Sequence, residues 1–123
     1  MANNINIGVI NRYEHSFAIP IIRSSIRAMN YGLLEFTSEG FTPNDLREYR
    51  LSLLLLEGRS PIDDRYTLDL GQRVIDYSVP IWYVSTGDVH HDDLLSGRNG
   101  IEVFHVLTEG GAIFRRLESL CKK

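Results

Sequence analysis

Residues 51–57 constrain the fold more than any other segment of this chain. Leu51, Leu53, Leu54, Leu55 and Leu56 form a nearly continuous apolar run that ends on Glu57 and Gly58. Such a run leaves no polar face, so as a strand it must be covered on both sides. Strands of that kind lie in the middle of parallel sheets, with helices packed above and below. A buried helix is the competing reading, but the run is short and a glycine follows it.

The flanking sequence alternates strand and helix. Residues 4–10 alternate apolar and polar positions and predict a first strand. Ser16 is placed to cap a helix that tolerates Pro20 in its first turn and stops at Gly32. Residues 33–37 predict a second strand. Thr42-Pro43-Asn44-Asp45 reads as a helix start, with an acid at the third helical position, and that short helix runs to Arg50. Residues 58–65 read as a polar loop, with Asp63 or Asp64 capping a helix over 65–78. Strands follow at 79–85 and 101–107, separated by a polar loop at 87–100. Thr108 caps a last helix that turns Ile113, Phe114, Leu117 and Leu120 inward.

Five strands alternating with helices predict an α/β three-layer sandwich. Its sheet is doubly wound, mainly parallel and five-stranded, of the flavodoxin or Rossmann kind. With 123 residues, one domain spanning 1–123 is expected. Ligands of such sheets bind beyond the carboxyl ends of the strands, where the strand order reverses.

Charge and cysteine content narrow the function. A net charge of −3 argues against nucleic-acid polymers and anionic membranes, which call for a basic footprint. The single cysteine, Cys121, cannot form an internal disulfide, and no apolar run is long enough to span a bilayer. Nor does a basic run precede an apolar stretch near the N-terminus. A cytoplasmic protein is the expectation.

Several residues could carry chemistry. Arg12, in the loop after the first strand, could grip an anion beside a helix N-terminus; it also fits a solvated loop. Asp69 sits in the helix after the central strand, and Arg73 four residues on makes it equally an ordinary surface ion pair. Asp45 is explained by helix capping alone. His90-His91-Asp92-Asp93 suggests metal, yet adjacent side chains rarely converge on one ion, and no second pair has ligand spacing. No metal and no cofactor is expected. Neither a Gly-x-Gly-x-x-Gly nor a Walker pattern is present.

Taken in order, five segments resemble the nucleoside 2-deoxyribosyltransferase family. They lie nearest its 2′-deoxynucleoside 5′-phosphate N-hydrolase branch. The segments are Ile5-Asn6-Ile7-Gly8-Val9-Ile10-Asn11-Arg12, Asn44-Asp45-Leu46, residues 51–57, Leu68-Asp69-Leu70-Gly71-Gln72-Arg73-Val74, and Leu95-Ser96-Gly97. The resemblance implies cleavage, by hydrolysis or transfer, of the N-glycosidic bond of a nucleoside or nucleoside 5′-monophosphate. Asp69 would be the carboxylate nucleophile, where the family usually has Glu, and Asp45 would support it or act as the acid. Gly8, Arg12, Tyr13, Ser96 and Gly97 would bind substrate and its phosphate. The Ser96 segment would serve a neighbouring subunit, which implies a homo-oligomer.

Two other functions fit the same pattern. One is a non-catalytic nucleotide-binding domain that senses or sequesters its ligand. The other is a response-regulator-like interaction domain, although the acidic pair expected after strand one and a lysine after the last strand are missing.

Overall fold

The computed structural model describes residues 5–16, 18–86, 95, 98–106 and 111–120. Within them the chain forms β1 (Asn6–Asn11), α1 (Ile19–Ala28), β2 (Gly32–Thr37), α2 (Asn44–Glu48) and β3 (Leu53–Gly58). There follow α3 (Pro61–Arg73), a 3-10 turn (Ile75–Tyr77), β4 (Ile81–Ser85), β5 (Ile101–His105) and α4 (Ala112–Ser119). The strands make one sheet in the order β2-β1-β3-β4-β5. Every neighbouring pair is parallel, so the expected sheet is wholly rather than mainly parallel.

The apolar run takes the central position. All six residues of β3 are buried, and Leu53 to Leu56 are wholly inaccessible. Alternation divides them between the two faces. Leu53 and Leu55 point to the face covered by Ile19, Ile22 and Ile26 of α1 and by Ile113 and Leu117 of α4. Leu54 and Leu56 point to the other face, beneath Leu46 of α2, Leu70 of α3 and Leu95.

Two segments differ from the sequence reading. Residues 58–65 are not a loop. Gly58 ends β3, and α3 begins at Pro61, four residues earlier than the pattern suggested. Proline is well suited to the first helical position, where its missing N–H is not needed. Asp63 lies inside the first turn and accepts the Ser60 amide at 3.2 Å. The helix also stops at Arg73, and a 3-10 turn carries the chain to Tyr77.

The turns that lead into β2, β3, β4 and β5 share a device. Asn30, Arg50, Ser78 and Asn99 have φ of 61, 52, 56 and 49°, and each stands two or three residues before β2, β3, β4 or β5. Single left-handed residues are an ordinary way to end a helix and turn the chain, usually with glycine. None of these four is glycine.

Candidate functional site

With this strand order, the connections leaving β1 and β3 run to opposite sides of the sheet. The crevice between their carboxyl ends is therefore the topological switch point, where folds of this class bind ligands. Among the described residues, the chain's own side chains bridge this crevice.

Two buried acids organise it. Glu57, the penultimate residue of β3, is 2% exposed, and Asp63 in the first turn of α3 is also 2% exposed. Burying a carboxylate is costly unless it is paired and fully hydrogen-bonded. Asp63 takes the Arg12 Nε–H at 2.7 Å on one oxygen. On the other it takes the Arg59 amide at 2.7 Å, the Ser60 amide at 3.2 Å and the Tyr13 hydroxyl. Glu57 accepts the Ser16 hydroxyl, the Ala18 amide at 3.3 Å and the Arg59 Nε–H at 2.5 Å.

The two arginines are also held from above. The Arg12 guanidinium lies 4.2 Å from the centre of the Tyr66 ring, and that of Arg59 lies 4.0 Å from the Tyr13 ring. Arg59 donates a further bond, at 2.6 Å, to the carbonyl of His15. Arg12 thus crosses to the acid and ring of α3, and Arg59, while paired with Glu57 on its own side, crosses to the Tyr13 ring and the His15 carbonyl. The loop after β1 and the start of α3 are tied together twice.

These bonds set the protonation of the site. Burial alone would raise the Asp63 carboxyl, but the Tyr13 hydroxyl, the Arg59 amide and Arg12 outweigh it and hold Asp63 below the usual range. Burial, reinforced by the hydrogen bond to Asp63, pushes Tyr13 up. The network is therefore fixed as anionic Asp63 facing a neutral phenol at neutral pH.

A second buried group lies beside it. Tyr83 points its hydroxyl to Asp64 at 2.6 Å. To get there its ring crosses β3 at Gly58, where a Cβ would fall inside the phenol. Next along β4, the Ser85 hydroxyl is buried and has no hydrogen-bond partner.

The structure separates the residues singled out from the sequence. Arg12 and Tyr13 meet in the crevice. Gly8 lies three residues short of the end of β1, and a Cβ there would meet Leu51 at 2.8 Å, so its missing side chain makes room for the core. Asp45 caps α2, accepting the Thr42 amide at 2.8 Å. The Asp69 side chain is 69% exposed and pairs with Arg73 at 3.1 Å. It lines a different cavity, of about 520 Å³, with Leu68, Gln72, Arg98 and Asn99. Ser96, Gly97 and the pair His90-His91 lie outside the described residues. Among the described residues no group of three His, Cys, Asp or Glu side chains could hold a metal ion. No helix there is long and apolar enough to cross a membrane.

Sequence reading missed Glu57, Arg59 and Asp63 as members of this site. Glu57 carried the one available signal, since an acid directly after four buried leucines cannot reach water easily.

No family model and no curated protein matches the chain. Among solved structures, a novel cobalamin-binding protein from Desulfitobacterium hafniense DCB-2 superposes with a TM-score of 0.58 at 15% identity. The alignment covers 93% of this chain and 60% of that one. This chain thus spans less than two thirds of that protein's length. The likeness supports the flavodoxin-like α/β fold.

Proposed function

We propose that this domain works as a non-catalytic, response-regulator-like interaction module. The observation that carries this reading is the closed switch point. Glu57 and Asp63 are buried, each is matched by an arginine, and each takes at least three hydrogen bonds from the protein. A carboxylate so engaged is a poor nucleophile and a poor metal ligand, because either role requires it to give up bonds that water does not replace. The end of β1 and the loop after it supply Asn11 and Arg12 where a cation site calls for acids. Transfer of a phosphoryl group to a carboxylate normally needs such a cation to offset the charge on its oxygens. The module thus presents one fixed surface instead of switching.

Incubation with acetyl phosphate and Mg²⁺ tests this. The expected result is an unchanged intact mass. Stoichiometric addition of a phosphoryl group would overturn the reading.

Cleavage of an N-glycosidic bond is the second reading, favoured by the cavity that places Asp69 beside the segment following Ser96-Gly97. Nucleosides and 5′-monophosphates incubated with the protein would then release free base, and Asp69→Asn would stop it by several orders of magnitude. On the first reading no base appears. A cobalamin arm belongs in the same panel, since His15 is exposed at the edge of the crevice and imidazole is a good cobalt ligand. An unchanged hydroxocobalamin spectrum is the expected outcome.

A further inference from the structure

The cavity beside α3 is independent of the crevice. Its walls are Leu68, Asp69 and Gln72 from α3, and Arg98 and Asn99 from the turn before β5. A volume of about 520 Å³ lies within the usual range for small-molecule sites, roughly 300–1,000 Å³.

Its polar groups are unspent. The Arg98 guanidinium and the Gln72 and Asn99 amides make no side-chain hydrogen bond or ion pair among the described residues. Asp69 uses one carboxylate oxygen on Arg73 and leaves the other open. By contrast, the acids of the crevice each accept three or more hydrogen bonds and both of its arginines are paired.

The backbone under these groups is well fixed. The Arg98 amide bonds to the Leu95 carbonyl at 3.1 Å, and the Arg98 carbonyl accepts the Ile101 amide at 2.7 Å. Leu95 itself is buried. Asn99 is held in the left-handed region at φ 49°. It can approach α3 because Gly71 has no side chain: a Cβ there would lie 3.0 Å from that of Asn99.

These groups specify a ligand class. Among the described residues, Arg98 is a free cation and Asp69 an anion with one oxygen on Arg73 and the other open, and two amides flank them. A phosphate or nucleotide would meet Asp69 as a repulsion, and a polyamine would meet Arg98. A zwitterion satisfies both. We infer that this cavity binds a free α-amino acid, with its carboxylate on Arg98, its ammonium on Asp69, and an aliphatic side chain against Leu68. Gln72 and Asn99 take the remaining donors and acceptors. Charge-assisted bonds of this kind are the strong ones.

Isothermal titration of the full chain against the twenty common amino acids tests this, with nucleosides and 5′-monophosphates as parallel arms. The expected result is saturable binding of one or a few amino acids. Arg98→Met and Asp69→Asn should each weaken it by tenfold or more, and the N-acetyl derivative of the same amino acid, which lacks the ammonium, should bind as poorly as the parent binds Asp69→Asn. Both substitutions are on exposed side chains and leave the fold intact, which far-ultraviolet circular dichroism checks. Gly71→Ala, which pushes Asn99 off α3, should also reduce affinity. Absence of binding by any amino acid at millimolar concentration would overturn the inference. So would binding indifferent to both charge substitutions, or a preference for nucleotides. None of these outcomes depends on whether the crevice accepts a phosphoryl group.

Discussion

Asp63 is the residue on which the crevice depends. Asp63→Asn keeps the shape but removes the charge that faces Arg12, and an amide cannot accept on both sides as the carboxylate does. Removing one member of a buried pair leaves the other uncompensated, so a loss of about 3 kcal/mol is expected at pH 7. The pH dependence identifies the cause. The folded carboxyl titrates below its unfolded value, so its contribution is present above about pH 4 and is lost as pH falls through the folded value. The gap between the two proteins in urea denaturation should therefore close below about pH 4. A gap that persisted there would point to shape, not charge. At Gly58 the effect is steric. Gly58→Ala puts a methyl into the Tyr83 ring and should cost several kcal/mol, part of which Tyr83→Leu should return in a double-mutant cycle. Of these residues the sequence made only Arg12 and Tyr13 legible as a site. Their partner is 51 and 50 residues away, a separation that no local pattern encodes.

At the scale of elements, the connection between β1 and α1 is held mainly by Arg59. Its guanidinium contacts Glu57, the His15 carbonyl and the Tyr13 ring. Arg59→Met should leave Glu57 without its cation and cost about 2 kcal/mol, less than for a fully buried pair because water reaches the partly exposed arginine. It should also loosen residues 12–16 before the rest of the domain. Hydrogen exchange checks this: amides at 13–16 should exchange faster while those of β3 keep their protection in proportion to global stability. Element identities were largely legible, because periodicity and the leucine run are local signals. The start of α3 was not. Ser60-Pro61 is a good helix start, but Arg59-Ser60-Pro61 reads equally well as a polar loop. The choice was made by Asp63, whose burial depends on Arg12 in another element.

At the scale of the molecule, β3 has neighbours on both edges and helices over both faces, so its side chains have nowhere to relax. Leu55→Ala should cost at the upper end of the usual 2–5 kcal/mol for a buried leucine, about 4 kcal/mol, with little change in the urea m-value. A loss below about 1 kcal/mol would mean the two faces repack independently. The chain made the layering legible, since a strand that reads Leu-Leu-Leu-Leu must be covered on both faces. It did not fix the order of strands around the switch point, which follows from contacts between elements far apart in sequence.

The left-handed residues that precede β2 to β5 bear on how this protein could change over time. A side chain in that conformation costs about 1–2 kcal/mol relative to the right-handed alternative, less for asparagine, and glycine escapes most of that cost. Arg50→Gly and Ser78→Gly should thus each raise the melting temperature, by about 0.5–1 kcal/mol of stability after the entropy of the extra glycine is counted. Both lie at the amino edge of the sheet, opposite the crevice. The domain therefore carries a reserve: a lineage could bank stability at one pole and spend it on new, destabilising chemistry at the other.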